Sequence, residues 1–497
     1  MTVYLDIGAK RIQAYLARTP RLRGRRGASA LLEYERLHDW THDAWALHAR
    51  VNEEGKQTDG VLSLRFTDPA VDDPTIDAVV AETSALLQRL APGAEWDVHV
   101  RHAESYRQAL RDGAAAERAG QDLLPDGPMR YRPLPTAPSE VPVVRFCETC
   151  GLDSAVCTGR VEPGEKDSDK PLCADCSRRF LEGGHRRDTR NWTAEEKRKY
   201  WQKKIAPGGL AAERKLLTGV ERTKERNAGT LRVARDFTDL AAVGSGDANH
   251  LCTVFVDGNR FGDLFAALKD AEVSLRDLSG DLNKAVRDAL EVATADVTSE
   301  KDTCLPVVPH LAGGDDLLAS VTADRAWDFV VAFLDDYHRR TAVLAADYQQ
   351  RAGAPVPAPT ASAGLVFAHA TYPFAECLDL AETALRRAKS QHQARTPAVC
   401  WVDVTEDGPE LPPSRSAPSL STLATHRCDI EELCAIPPSG RARLAEAAQR
   451  GDDTEVAALA HRLGRIGIVR PFQQQPAPMP LLDALVLGRW WQCRRTG

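Results

Sequence analysis

The chain has 497 residues, too many for one hydrophobic core, so its length predicts several domains. A net charge of −7 excludes a globally basic nucleic-acid binder, and the lack of a long apolar run excludes a membrane-spanning protein. We therefore expect a cytoplasmic protein without a signal peptide, whose twelve cysteines are buried side chains or metal ligands rather than disulfides.

The first 120 residues have the pattern of an α/β unit. Strands are predicted over 2–7, 60–66 and 96–100, and helices over 10–18, 75–90 and 105–119. A basic cluster follows the first predicted helix, and it favours either RNA phosphate contacts or a solvated surface; its members are Arg18, Arg21, Arg23, Arg25 and Arg26.

The next segment, 121–245, combines a proline-rich connection, a cysteine cluster and a strongly charged stretch over 186–226. Two Cys-x2-Cys knuckles lie in the cluster, formed by Cys147, Cys150, Cys173 and Cys176. Four thiolates at this spacing are typical of a structural, tetrahedral Zn²⁺ site without an open position, so we expect no catalysis there. The charged stretch, with Trp192 among its aromatics, is compatible with RNA binding or with a solvated helix surface.

Residues 250–405 give the clearest pattern. Strands and helices are predicted in the order β-α-β-β-α-β, over 251–256, 278–298, 305–312, 317–322, 324–349 and 360–368. A helix over 373–390 and a strand over 399–404 follow, and the remainder of the chain is predicted to be helical. This order is that of a ferredoxin-like, palm-type domain.

Three acidic residues of this domain form a candidate metal site. Asp257 follows a buried strand, where ligands of open α/β sheets collect, and Asp315 and Asp316 lie at a hairpin turn. Two divalent cations bound by such carboxylates activate a hydroxyl and neutralise a leaving pyrophosphate, which is the chemistry of nucleotidyl transfer. A surface turn is the alternative, because glycine and aspartate favour turns. The glycines that permit positive φ angles or the approach of a phosphate are Gly258, Gly313 and Gly314.

Several stretches resemble the large palm-domain ("Cas-ten") subunit of type III CRISPR effector complexes, a relative of GGDEF nucleotide cyclases. They are TVFVDGNRFGDLF over 253–265, HLAGGDDLLAS over 310–320, PTASAGLVFAHATYPFAECLDLAETALRRAK over 359–389 and IQAYLARTPRLRGRRGASALL over 12–32. The resemblance implies an α/β (α+β) fold with two ferredoxin-like palm domains, an intervening zinc module and a C-terminal helical bundle. The implied domains are a degenerate first palm over 1–120, a linker and zinc module over 121–245, a catalytic palm over 246–410 and a helical domain over 411–497.

The same resemblance implies an activity and its partners. Family members join ATP into cyclic oligoadenylates after target RNA binds, as the signalling subunit of a ribonucleoprotein in antiviral defence. For this chain it implies two Mg²⁺ or Mn²⁺ ions on Asp257, Asp315 and Asp316, and a phosphate contact at Lys389, which is otherwise a solvated cation at a helix C-terminus. Guide RNA, target RNA and other effector subunits are the implied partners, with no membrane. The segment Asp6-Ile7-Gly8 takes the place of the strand acid in the first palm and either helps to bind a second nucleotide or only packs.

Two departures from the family bear on this interpretation. The family often has Asp-Gly-Asp-Asn where this chain has Asp257-Gly258-Asn259-Arg260, so one acid is missing, and Asp263 either compensates or is only a helix N-terminal acid. Many members begin with an HD nuclease domain, whereas this chain is expected to begin at the first palm.

A silent scaffold that binds nucleotide or RNA and a stand-alone GGDEF-like cyclase are the alternatives. The acids favour turnover over the scaffold, and the zinc module and basic segments favour a complex.

Overall fold

The computed structural model describes residues 1–55, 58–118, 129–131, 145–161, 169–182, 208–226, 231–244, 249–268, 273–473 and 477–491. The chain divides into two compact units, one of Met1–Ala212 with Ser274–Asp281 and one of Glu213–Val273 with Leu282–Gly497. Among the described residues, no helix combines the length and the apolar composition needed to cross a bilayer. The proline-rich connection, apart from residues 129–131 and 145, and most of the charged stretch with Trp192 lie outside the described residues.

The first unit contains a five-stranded antiparallel sheet. Its strands are β1 (Thr2–Lys10), β2 (Ala49–Val51), β3 (Val61–Phe66), β4 (Glu95–Ala103) and β5 (Met129–Tyr131). They lie in the order β2-β3-β1-β4-β5. The helices of this unit's palm are α1 (Ile12–Ala17), α2 (Leu22–Leu31), α3 (Tyr34–Trp45), α4 (Asp73–Leu90) and α5 (Tyr106–Arg118). Because helices follow β1 and β3, the first four strands have the ferredoxin-like topology.

A small hairpin and a helix also lie in the first unit. They are β6 (Cys157–Arg160), β7 (Asp169–Leu172) and α6 (Ala174–Glu182). A Cβ at Gly27 of α2 would lie 1.8 Å from the Arg179 carbonyl oxygen of α6, so glycine lets these two helices touch through their backbones.

The second unit contains a mixed five-stranded sheet. Its strands are β8 (His250–Asn259), β9 (Val307–Gly313), β10 (Asp316–Thr322), β11 (Thr360–His369) and β12 (Val399–Asp403). They lie in the order β12-β11-β8-β10-β9, in which only β11 and β12 run parallel. The order β11-β8-β10-β9 is again ferredoxin-like, so the predicted fold class with two palm folds is confirmed.

The remaining helices follow the chain from the charged stretch to its end. They are α7 (Gly208–Thr223), α8 (Phe237–Ala241), α9 (Phe261–Ala267), α10 (Leu275–Val297), α11 (Ala326–Ala352), α12 (Phe374–Gln391), α13 (Val404–Asp407), α14 (Leu420–Thr425), α15 (Arg427–Cys434), α16 (Pro438–Gln449), α17 (Asp453–Arg462), α18 (Ile466–Gln473) and α19 (Leu481–Leu487). The four-part domain division stays a prediction.

The strand that carries Asp257 is buried on both faces. Val254 and Val256 of β8 belong to the main hydrophobic core of the second unit, on the face covered by α10 and α11. The other face is covered by α12, which approaches so closely that a Cβ on Gly364 would lie 2.0 Å from the carbonyl oxygen of Ala381. A strand covered on both sides loses its amphipathic alternation, which explains the continuous apolar run that precedes Asp257.

Candidate functional site

The three predicted acids meet at one end of the second sheet. Asp257 lies near the end of β8, Asp315 is in the turn between β9 and β10, and Asp316 begins β10. Since Leu317 pairs with Val256 across antiparallel strands, Asp316 falls opposite Asp257. One oxygen of each carboxylate lies within 4.8 Å of the other two. The structure therefore brings all three predicted carboxylates into one cluster.

The close approach of this hairpin to β8 depends on Gly258. A Cβ at this position would lie 2.2 Å from the ring of Phe261 and 2.8 Å from the Cβ of Asp315. In the turn, Gly314 has a φ of +68°, which favours glycine, whereas a Cβ on Gly313 would meet no atom closer than 3.4 Å. Gly258 and Gly314 thus have structural reasons to be glycine, and the approach of a phosphate to Gly313 stays a prediction.

Asn283 of α10 holds the hairpin turn from the side. Its side-chain oxygen accepts a hydrogen bond from the backbone N–H of Gly314, and the residue is only 4% exposed. Asn283 is not part of any motif in the sequence. Its one signal there is a polar side chain on the apolar face of a helix, because Asn283 lies three residues before the buried Val286.

The carboxylate cluster carries an unbalanced negative charge. Burial, together with the charges of Asp315 and Asp257, raises the pKa of Asp316 to about 8. Burial also raises the pKa of Tyr337 on α11, and the three carboxylates raise it further. A divalent cation among the oxygens would relieve this repulsion, and hard cations prefer such ligands. The residues at this site therefore fit Mg²⁺ or Mn²⁺.

Lys389, near the end of α12, contacts the cluster directly. Its Nζ donates hydrogen bonds to Oδ2 of Asp257 and, at 2.6 Å, to the carbonyl oxygen of Gly258. The alternative of a fully solvated helix-end cation is wrong, because the side chain is only 22% exposed and ion-paired. Its predicted contact with a phosphate stays a prediction.

Asn259 points to the neighbouring strand rather than to the carboxylates. Its Nδ2 donates to the hydroxyls of Thr360 and Ser362, each at 3.0 Å, and the residue is 2% exposed. Asp263 does not take its place in the cluster, since it pairs with Arg260 at the start of α9. Among the described residues, three acids and not four form the candidate metal site.

The first unit has no matching acids at the corresponding positions. Arg11 precedes α1 in the left-handed conformation, as Arg260 precedes α9. Three residues before Arg11 stands Gly8, where the second unit has Asp257, and Gly8 pairs with Val61. The described residues at this place of the first palm therefore offer no carboxylate pair.

Asp6 lies two residues before Gly8, so within the predicted Asp6-Ile7-Gly8 segment the position that corresponds to Asp257 carries a glycine and not an acid. Its carboxylate accepts hydrogen bonds from Ser63 at 2.5 Å, from Tyr106 at 3.1 Å and from Arg101. Burial raises the pKa of Asp6, and these donors act against the rise. Of the two predicted roles, packing within the sheet is the one that these contacts support.

The four predicted cysteines also form a cluster. The sulfur atoms of these residues all lie within 4.8 Å of one another, and the residues are Cys147, Cys150, Cys173 and Cys176. Four thiols at such distances fit a tetrahedral Zn²⁺ ion. The exposed Cys157 is outside the set. The cluster rests on a buried support, in which Arg179 pairs with Asp175 at 2.6 Å and donates to the carbonyl of Tyr15 at 2.8 Å.

The arginine cluster after α1 is buried at Arg25 and Arg26 and partly buried at its other three members, so the predicted solvated surface is wrong for the buried pair. Arg25 is 1% exposed and donates to the carbonyls of Thr19 and Pro20. Arg23 donates to carbonyls of the cysteine module, and Arg18 pairs with Asp153 beside the first knuckle. Arg18, Arg23 and Arg25 thus satisfy backbone carbonyls and an acid within the first unit, and a contact of the cluster with RNA stays a prediction.

Comparisons with known proteins agree with the geometry. Residues 250–396 match the family model of Cas10/Cmr2, second palm domain. Csm1 of T. onnurineus has a similar fold, at a TM-score of 0.50 and 13% identity, over 99% of this chain and 70% of that one. A chain of a Csm1-Csm4 cassette in complex with cA4 is similar at a TM-score of 0.50 and 12% identity, over 98% of this chain and 69% of that one. No curated protein matches the chain significantly.

Proposed function

We propose that this Cas10-like chain is the large subunit of a type III CRISPR effector complex and that its second palm joins ATP into cyclic oligoadenylates. The observation that carries the proposal is the convergence of Asp257, Asp315 and Asp316 within 4.8 Å, inside the segment that matches the Cas10/Cmr2 second palm. The chain of similar fold in the Csm1-Csm4 cassette was found in complex with cA4. This complex supports the proposed class of product and the proposal of a partner subunit.

Each residue of the site has a defined task in this proposal. The three carboxylates hold the divalent cations, which supply charge neutralisation and an acidified hydroxyl when bound. Gly258 allows the hairpin to reach β8, and Asn283 holds its turn through Gly314. Bringing a 3′-hydroxyl and an α-phosphate together in one orientation removes much of the barrier to their reaction.

The cysteine cluster and the rest of the complex belong to the same proposal. We assign a structural Zn²⁺ to the four cysteines, since their closed set leaves no position for a substrate. Guide RNA and target RNA are proposed partners, through the assembled complex.

The direct test measures the conversion of labelled ATP to cyclised products, with Mg²⁺ or Mn²⁺, by the assembled complex bound to target RNA. We expect Asp315→Ala combined with Asp316→Ala to reduce product at least about a hundredfold, because two of three metal ligands are lost. Asp263→Ala is the matched control, since this nearby acid pairs with Arg260 outside the cluster, and it should retain activity. Undiminished product in the double variant would refute the site, and no product from the intact complex would favour a silent scaffold.

A further inference from the structure

Lys389 contacts Asp257, one of the three carboxylates proposed as metal ligands. Its Nζ hydrogen-bonds to Oδ2 of Asp257 and lies 2.6 Å from the carbonyl oxygen of Gly258. The same Asp257 carboxylate contributes to the cluster whose oxygens lie within 4.8 Å of one another. An ammonium group and a dication therefore compete for one carboxylate.

The surroundings of Lys389 favour this competition. Three carboxylates converge at the cluster, and Lys389 forms an ion pair with one of them. The side chains of Lys389 and Asp257 are only 22% and 35% exposed, so water screens their attraction incompletely. The turn after α12 is fixed on the backbone of Lys389, because the carbonyl of Lys389 accepts a hydrogen bond from the N–H of Ala394 at 2.7 Å.

We propose that Lys389 is a placeholder cation, which neutralises Asp257 before metal binds and must leave this carboxylate when a divalent ion arrives. The inference rests on the proposed function, because it takes the cluster as the metal site. The carbonyl of Gly258 is a second acceptor within reach of the displaced ammonium. An incoming triphosphate offers a stronger acceptor, so the departure of Lys389 from Asp257 couples metal binding to nucleotide binding, and the coupling is reciprocal.

The test is a titration of the zinc-loaded protein with Mn²⁺ in the absence of nucleotide. Binding is measured as the loss of the free-Mn²⁺ signal in electron paramagnetic resonance. Lys389→Met keeps the length and apolar stem of the side chain but removes the competing charge. We expect it to bind Mn²⁺ roughly three- to tenfold more tightly than the unmodified protein, since a charged hydrogen bond no longer has to break. Lys389→Gln should shift the affinity in the same direction.

Arg386→Met provides a control for the loss of a positive charge in general. Arg386 lies one turn earlier on α12, is exposed and hydrogen-bonds to Thr383, so its removal should change Mn²⁺ affinity less than about twofold. Unchanged or weaker Mn²⁺ binding by the folded Lys389 variants, or an equal gain from Arg386→Met, would overturn the inference and leave the proposed function standing. Mn²⁺ binding that survives Asp315→Ala with Asp316→Ala, or no binding at all, would instead overturn the metal site.

Discussion

Gly258 shows how one missing side chain fixes the geometry of the carboxylates. A Cβ here would overlap the ring of Phe261 and press on Asp315. We predict that Gly258→Ala moves the hairpin away from β8, destabilises the second unit by about 1–3 kcal/mol and lowers ATP conversion. Thermal unfolding and product assays of the same preparation check this.

Gly280→Ala is the matched control for that substitution. Gly280 lies inside α10, and a Cβ there would meet no atom within 4 Å. Alanine is favoured over glycine in a helix interior by about 1 kcal/mol, so the control should be neutral or stabilising. Equal behaviour of the two alanine variants would contradict the packing argument at Gly258.

Asn259 illustrates a residue whose role the sequence alone misplaces. In the corresponding place of the first unit, Lys10 pairs with Asp97 of the neighbouring strand at 2.5 Å, as Asn259 bonds to Ser362 of its neighbouring strand. In both palms, the side chain at this position therefore contacts the strand that pairs with its own strand. Asn259 is therefore a strand contact, and the missing acid does not leave a gap in the cluster.

At the scale of elements, the cysteine module is a hairpin and a helix with a core too small to be stable alone. Its buried apolar cluster consists mainly of the cysteines themselves, with Val161, Leu172 and Phe180. We predict that Cys176→Ser removes the bound zinc, about one ion per chain, and lowers the thermal stability of the first unit, because binding energy is folding energy in such modules. Metal analysis and thermal unfolding measure both effects.

The control for this variant is Cys157→Ser. Cys157 is in the same module but is exposed and outside the sulfur cluster. It should retain its zinc and its unfolding temperature. Loss of zinc from the Cys157 variant, or its retention in the Cys176 variant, would show that the ligand set is wrong.

At the scale of the whole molecule, a buried acid joins the sheet of the second unit to the C-terminal helices. Asp403, at the end of β12, is fully buried and accepts hydrogen bonds from Trp490 at 2.7 Å and Arg489 at 3.1 Å. We predict that Asp403→Ala costs about 1–3 kcal/mol, because it leaves the buried ring N–H of Trp490 without its acceptor and removes one of the two carboxylate partners of Arg489. Unfolding experiments and limited proteolysis of the segment after residue 404 should report the loss.

Glu406→Ala tests the same arginine from its exposed side. Glu406 pairs with Arg489 at 2.8 Å, but its side chain is 54% exposed. Its removal should cost less than about 1 kcal/mol, as for most surface ion pairs. If both variants were equally stable, Asp403 would not hold the C-terminal helices.

The sequence by itself determined the order of strands and helices along the second palm, and it identified the three acids and the four cysteines that cluster in the structure. Those signals are local: apolar periodicity, a Gly-Gly-Asp-Asp turn between two strands, and paired knuckles at fixed spacing. It did not predict α2, α3 or β2, because that stretch is short of regular apolar spacing and rich in arginine. Its strand bounds were also too short, since β1 and β4 extend three residues beyond the predicted ends.

Only the tertiary structure decided which of these side chains touch. The contact of Asn283 with the hairpin turn joins residues 31 positions apart in the chain, and the pairing of Lys389 with Asp257 joins residues 132 positions apart. The identity of a charged residue does not show whether its partner in the folded protein is water, a carbonyl or a carboxylate. The partner depends on which chain segments lie beside the residue in the folded protein. Packing between segments distant in sequence determines this.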